Sequence, residues 1–155
     1  MPRIPNKNAR YRTKDKICED IAFVLNSNSS LSYGAQFAVL SEAMWVWTEF
    51  DGKYDGCKLW SEEALKVRDQ RKMLIHEHMV PKSIVIERLK KLSNPTRDSV
   101  KELLEFYCKG AVVTKDEDRR LNGNGLRSKM PTDWDEKDVE ARYALVGIVL
   151  RTPTT

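Results

Sequence analysis

Apolar residues recur with helical spacing over most of this chain and with strand spacing in short stretches of its second half. From Lys14 to Asn26 one apolar face repeats every three to four positions, which predicts a helix. A longer apolar helix is predicted from Ser32 to about Glu49, with Asp51-Gly52 as the turn that closes it. Ser61, followed by two acidic residues, predicts an N-cap and a helix to about Lys72.

The second half predicts strands between helices. Met73–Val80 is apolar at both ends and precedes Pro81, and because the residue before a proline avoids helical geometry, this segment is predicted to be extended. Further helices are predicted at 83–92, from Asn94-Pro95-Thr96 onward, at 114–121 behind a capping box, and at 137–145. A strand is predicted at 111–113, and residues 146–150 are predicted to be either a strand or a continuation of the preceding helix. The predicted fold is α+β and predominantly helical: a helical N-terminal half, a short strand, helices, and a strand–turn–helix unit.

Length and composition favour one globular domain. The chain has 155 residues, 41% of them hydrophobic and 32% charged, so we predict a flexible basic arm at 1–16, a single domain at 17–150 and a tail at 151–155. No apolar run reaches membrane length and no secretory signal is visible, which predicts a cytoplasmic protein without a membrane partner. Three widely spaced cysteines without a CxxC pair predict reduced, buried thiols.

Positive charge is concentrated at the N-terminus. Residues 1–16 carry six cations and one acid, a net charge of +5, whereas the whole chain carries +4. The six cations are Arg3, Lys7, Arg10, Arg12, Lys14 and Lys16. A basic arm of this kind predicts contact with a nucleic-acid backbone, and a merely solubilising terminus is the alternative.

The chain's two histidines fall in one tripeptide, His76-Glu77-His78. An acid directly before a histidine can hold a divalent cation while the imidazole takes a proton from water. In an extended segment, however, the two histidines share one face and Glu77 lies on the other.

Glu77-His78-Met79-Val80-Pro81 resembles the opening of the HNH, or ββα-metal, nuclease signature. The resemblance implies a metal ligand at Glu77 and a general base at His78. A later strand–turn–helix, here residues 111–121, would supply the second ligand, and Asp118 stands where such helices often carry a histidine. Two predicted helices then form an insertion inside the ββα core. Carboxylate ligands favour Mg²⁺ or Mn²⁺. Zinc, held by His76, His78 and a cysteine such as Cys108, is the less favoured metal.

Other residues are predicted to support such a site. His76, Thr114, Arg119 and Arg120 lie near the predicted ligands in sequence, and the two arginines could face the scissile phosphate. Arg127 and Lys129 lie in a predicted loop and are further candidates for backbone contact. Trp45 and Trp47 point in different directions on one helix, so one of them could be exposed and stack on a base or anchor a partner.

The predicted function is therefore an HNH-like metal-dependent phosphodiesterase acting on nucleic acid, or an inactive descendant that still binds it. The alternative is a small non-enzymatic accessory protein that binds a protein partner or DNA, as in phage–host conflict systems. In a purely structural alternative, the two histidines are half-buried strand residues bonded to carboxylates and Glu77 is a solvated acid.

Overall fold

The computed structural model describes residues 12–27 and 30–154, and over these ranges it confirms a predominantly helical α+β fold. In chain order the elements are α1 (Lys14–Asn26), α2 (Tyr33–Thr48), β1 (Trp60–Ser61), α3 (Glu62–Lys66), a 3-10 turn (Arg71–Met73), β2 (Leu74–His78), α4 (Lys82–Lys90), α5 (Arg97–Tyr107), β3 (Gly110–Thr114), α6 (Lys115–Gly123), α7 (Ala141–Leu145) and β4 (Leu150–Arg151). Within the described ranges no helix is long and apolar enough to cross a membrane.

Hydroxyl side chains start five of the helices. In each case the N-cap oxygen accepts a backbone N–H of the first turn, which satisfies a donor that the helix itself cannot pair. These caps are Thr13, Ser32, Ser61, Thr96 and Thr114. Helix α1 has the predicted bounds, and because it begins at Lys14, the last residues of the predicted arm belong to it.

Two predicted helices are shorter than expected. The helix capped by Ser61 ends at Lys66, because the following run from Arg68 to Lys72 has no apolar side chain with which to pack. The helix predicted for 137–145 covers only Ala141–Leu145. There the Asp135 carboxylate accepts the backbone N–H groups of Lys137 (2.9 Å) and Asp138 (2.8 Å), which holds the chain in a turn.

The four strands form one sheet in the order β2-β3-β1-β4. Strands β2 and β3 are antiparallel, with His78 opposite Gly110, and β1 runs parallel to β3. Helices α4 and α5 lie between β2 and β3 in sequence, as the predicted insertion requires. Strand β2 is at the edge of the sheet, where the Tyr54 hydroxyl donates to the Leu74 carbonyl (3.4 Å) and Arg142 donates to the His78 carbonyl.

The apolar residues form separate clusters on the two sides of the sheet. One cluster packs α1, α2, α4 and α5 together. Another joins Ala111 and Val113 of β3 to Leu121 of α6 and Tyr143 of α7. A small third cluster contains Trp60, Leu74 and Val112. The two faces of β2 therefore pack against different parts of the protein.

Candidate functional site

Strand alternation separates the two predicted catalytic groups. Along β2, Leu74, His76 and His78 are buried on one face, and Ile75 and Glu77 lie on the opposite, partly buried face. The histidine face packs against α2, where the ring centroids of Trp45 and His78 are 4.2 Å apart. The predicted metal ligand Glu77 and the predicted base His78 therefore do not converge on one point.

Glu77 is engaged by two side chains of α7. Arg142 Nη2 lies 2.6 Å from Glu77 Oε1, and the Tyr143 hydroxyl donates to Oε2. The Arg142 side chain is fully buried and that of Glu77 is 15% exposed. Both oxygens of the predicted ligand are thus already hydrogen-bonded within the protein.

The remaining donors of Arg142 reach only backbone oxygens. They bond the carbonyls of His78, Met79 (3.0 Å) and Leu126 (2.6 Å). The guanidinium therefore bonds four oxygen acceptors and ties β2 to α7 and to the loop after α6.

The charges of this pair are coupled. Burial raises the pKa of the Glu77 carboxyl, the Arg142 charge opposes that rise, and the nearby charge of Asp118 adds to it. A guanidinium keeps its proton in proteins, so a buried Arg142 needs a negative partner. We conclude that Glu77 is ionised at neutral pH and is neutralised by Arg142.

His78 is poorly suited to act as a base in this fold. It is 5% exposed, and its Nε2 lies 3.3 Å from Thr48 Oγ1. Burial lowers the pKa of His78 to about 3. A general base works best with a pKa near the operating pH, so this imidazole would remove a proton from water weakly.

His76 is also buried and neutral. Its Nδ1 lies 2.5 Å from the Lys53 carbonyl oxygen, so Nδ1 must carry the hydrogen. Burial lowers the pKa of the ring, and Nε2 has no hydrogen-bond partner among the residues that the structure describes. The ring packs edge-on against Gly110, where an added Cβ would lie 2.5 Å from Nε2.

The predicted residues around α6 have different surroundings. Thr114 caps the helix in a capping box, since its Oγ1 accepts from Glu117 N (3.1 Å) and Glu117 Oε2 accepts from Thr114 N (2.9 Å). Asp118 is half-buried on the same side of the sheet as Glu77 and accepts from Asn122. Arg119 pairs with Asp116 (2.7 Å) on the surface, whereas Arg120 donates to the Val146 carbonyl (3.1 Å).

The structure brings Asp118 toward Glu77 and leaves His78 apart from both. Across the described residues, no group of three or more His, Cys, Asp and Glu side chains could hold a metal ion. Cys108 is buried, its Sγ donates to the Met44 carbonyl oxygen (4.0 Å), and it belongs to no such group. As folded, the donor set does not fit the implied metal, because the oxygens of Glu77 are bonded to Arg142 and Tyr143.

Sequence reasoning missed four buried polar residues of this region. Arg142 and Tyr143 were expected only as part of the helix predicted for 137–145, and no local pattern marks a partner of Arg142 that lies 65 positions away. Glu117 belonged to the predicted capping box, but its second bond, from Ser61 Oγ (2.6 Å), depends on the tertiary fold.

The predicted backbone-binding cations are partly described. Arg12 pairs with Glu42, the Lys14 ammonium lies 4.7 Å from the Trp47 ring centroid, and Lys16 pairs with Asp20 (3.0 Å). Arg127 and Lys129 are exposed in the loop after α6. Arg3, Lys7 and Arg10 lie outside the described residues.

A cleft of about 370 Å³ opens beside β2, and we name it the Trp45–Tyr54 cleft. Its lining residues are Trp45, Glu49, Lys53, Tyr54, Leu74, Ile75, His76 and Lys115. Cations lie over both aromatic rings: Lys82 Nζ is 4.8 Å from the Trp45 centroid, and the Tyr54 centroid is 5.1 Å from Arg71 Cζ and 5.5 Å from Lys53 Nζ. The rim therefore combines half-buried aromatic surface with excess positive charge.

Comparison with known proteins gives no match, whether to a protein-family model, to a curated protein or to a solved structure. The function must therefore be inferred from geometry and charge.

Proposed function

We propose that this chain binds nucleic acid through the Trp45–Tyr54 cleft and does not cleave it, as an inactive descendant of a ββα-metal nuclease would. The observation that carries the proposal is a set of cations at the cleft: Lys53, Arg71 and Lys82 lie over its two aromatic rings, and Lys115 lines it. The opposed faces of Glu77 and His78 support the absence of cleavage.

This combination of side chains suits the chemistry of a nucleic-acid strand. Aromatic rings stack on bases, and cations beside them neutralise phosphates. Two acids lie among these cations: Asp55 pairs with Arg71 (2.7 Å), and Glu49 lines the cleft with Lys53. The lysines rest on aromatic faces by cation–π attraction, so they can turn to phosphates when a base takes the face.

The geometry also argues against metal-dependent cleavage at Glu77. A metal bound there would have to displace a buried guanidinium that has four oxygen acceptors. Because His78 has a pKa of about 3 and faces α2, it would not deprotonate a water on the Glu77 side. The three cysteines are free and buried, in keeping with the reducing cytoplasm that we propose as the compartment.

The test is binding of labelled single-stranded DNA and RNA followed by fluorescence anisotropy at several salt concentrations. Lys53→Gln/Lys115→Gln should weaken binding and make the salt slope shallower by about 0.7 per lysine. Tyr54→Ala should weaken binding about 5- to 150-fold, because stacking contributes about 1–3 kcal/mol per base, and Tyr54→Phe should keep most of it. The matched control, Lys91→Gln/Lys137→Gln, changes two exposed lysines that do not line the cleft.

Two results would contradict the proposal. If no oligonucleotide binds, the protein-partner alternative is favoured instead. If Mg²⁺ or Mn²⁺ supports cleavage that His78→Ala abolishes in a folded protein, the chain is a nuclease.

A further inference from the structure

Arg142 places a buried positive charge where the resemblance to metal nucleases implies a divalent ion. Its Nη2 contacts Glu77, the expected first ligand, and α6 brings Asp118, the expected second ligand, to the same side of the sheet. The cation of this region is therefore a part of the polypeptide.

The acceptors around Arg142 are all oxygen atoms. They are one carboxylate oxygen of Glu77 and the carbonyls of His78, Met79 and Leu126. Carboxylate and carbonyl oxygens are also the ligands that Ca²⁺ and other hard cations take in proteins.

We infer that the Arg142 guanidinium is a built-in replacement for a metal ion, holding a cation-binding oxygen shell closed. This deepens the non-cleaving half of the proposed function and rests on it. The negative charge of Glu77 is then neutralised by Arg142 itself, so the fold does not depend on a bound metal ion. The wild-type protein should fold and bind oligonucleotides equally well in EDTA.

The inference predicts that removal of the guanidinium uncovers a cation site. Arg142→Ala leaves Glu77 buried without its partner, so its Tm should fall by about 6–20 °C. Millimolar Ca²⁺ should restore part of that loss, whereas NaCl of equal ionic strength should not. Tb³⁺ should bind this variant and emit on excitation of Tyr143, whose hydroxyl bonds Glu77.

Matched variants separate this from unspecific binding. Glu77→Gln/Arg142→Ala removes the carboxylate as well and should lose the Tb³⁺ signal and the response to Ca²⁺. Arg142→Lys keeps a charge that cannot span four acceptors, so its Tm should fall less and Ca²⁺ should not raise it.

Two outcomes overturn the inference. The first is an Arg142→Ala protein whose Tm, or whose refolding from urea, is the same with Ca²⁺ as with NaCl. The second needs no Arg142 variant: Tb³⁺ emission from the wild-type protein that disappears in Glu77→Gln would show that a metal binds despite Arg142. Neither outcome bears on oligonucleotide binding, which is measured without added metal and tests the proposed function separately.

Discussion

Gly110 should be intolerant of even one added methyl group, because of its contact with His76. A Cβ at this position would lie 2.5 Å from His76 Nε2 and 2.6 Å from Cε1. The ring cannot easily retreat, since it is 3% exposed and its Nδ1 is bonded to the Lys53 carbonyl. The backbone of Gly110 is not in the left-handed region, so the contact alone opposes substitution.

The magnitude follows from three terms. Overpacking a filled core costs about 1–3 kcal/mol, and a broken Nδ1 hydrogen bond adds about 0.5–1.5 kcal/mol. Alanine in a strand gains about 0.5–1 kcal/mol over glycine. Gly110→Ala should therefore lower the free energy of unfolding by about 0.5–4 kcal/mol.

The measurement is urea unfolding followed by circular dichroism in a double-mutant cycle. In a His76→Ala background, where the ring is absent, Gly110→Ala should become neutral or stabilising by up to about 1 kcal/mol. Gly34→Ala is the control, because nothing lies within 4 Å of an added Cβ there. Equal losses from Gly110→Ala in both backgrounds would refute the reasoning.

Three further predictions concern buried polar groups. The pKa of His78 is lowered to about 3 in the fold from about 6.5 in the unfolded chain, so its neutral form stabilises the fold fully above pH 6.5 and this contribution is lost as the pH falls toward 3. As the pH falls below 6.5, the slope of the free energy of unfolding should rise to about 1.4 kcal/mol per pH unit near pH 5 for this histidine, and an unchanged slope in His78→Gln would contradict this. Burial raises the pKa of Cys18 to about 11, and burial also raises the pKa of Cys57. A thiol reagent should therefore label the buried cysteines only after unfolding, and rapid labelling of the native protein would show that the thiols are accessible. Ser61→Ala removes both the α3 cap and the bond to Glu117, so it should lower the free energy of unfolding in urea by about 2–4 kcal/mol. Ser32→Ala, which removes an exposed cap, should lower it by about 1 kcal/mol, and equal losses would mean that the Glu117 bond adds nothing.

Local chemistry explains which elements could be predicted. Helix α1 and the capping box at Thr114 depend on residues a few positions apart, and the structure has both where the sequence predicts them. Two helices were predicted too long, also for local reasons. A polar run after Lys66 ends the first, and in the second the Asp135 carboxylate accepts backbone N–H groups that a helix would otherwise use. Strand β1 is two residues long and has no periodicity to detect.

The candidate site was predictable only in part. Alternation along an extended segment gives the faces of His76, Glu77 and His78, and the structure has them on those faces. The partner of Glu77 is Arg142, 65 positions later, and its burial depends on how α7 docks on β2. Arginine is ordinarily a surface residue, so no sequence pattern distinguished this one.

The bonded carbonyls at the two ends of β2 also affect how copies of this protein meet. A free sheet edge can template the addition of a strand from another molecule, which is how many β-proteins aggregate. Tyr54 and Arg142 occupy acceptors at either end of this edge, and the opposite edge, β4, spans only two residues. Concentrated solutions of the protein should therefore stay clear on storage, and substituting both Tyr54 and Arg142 should promote fibril formation.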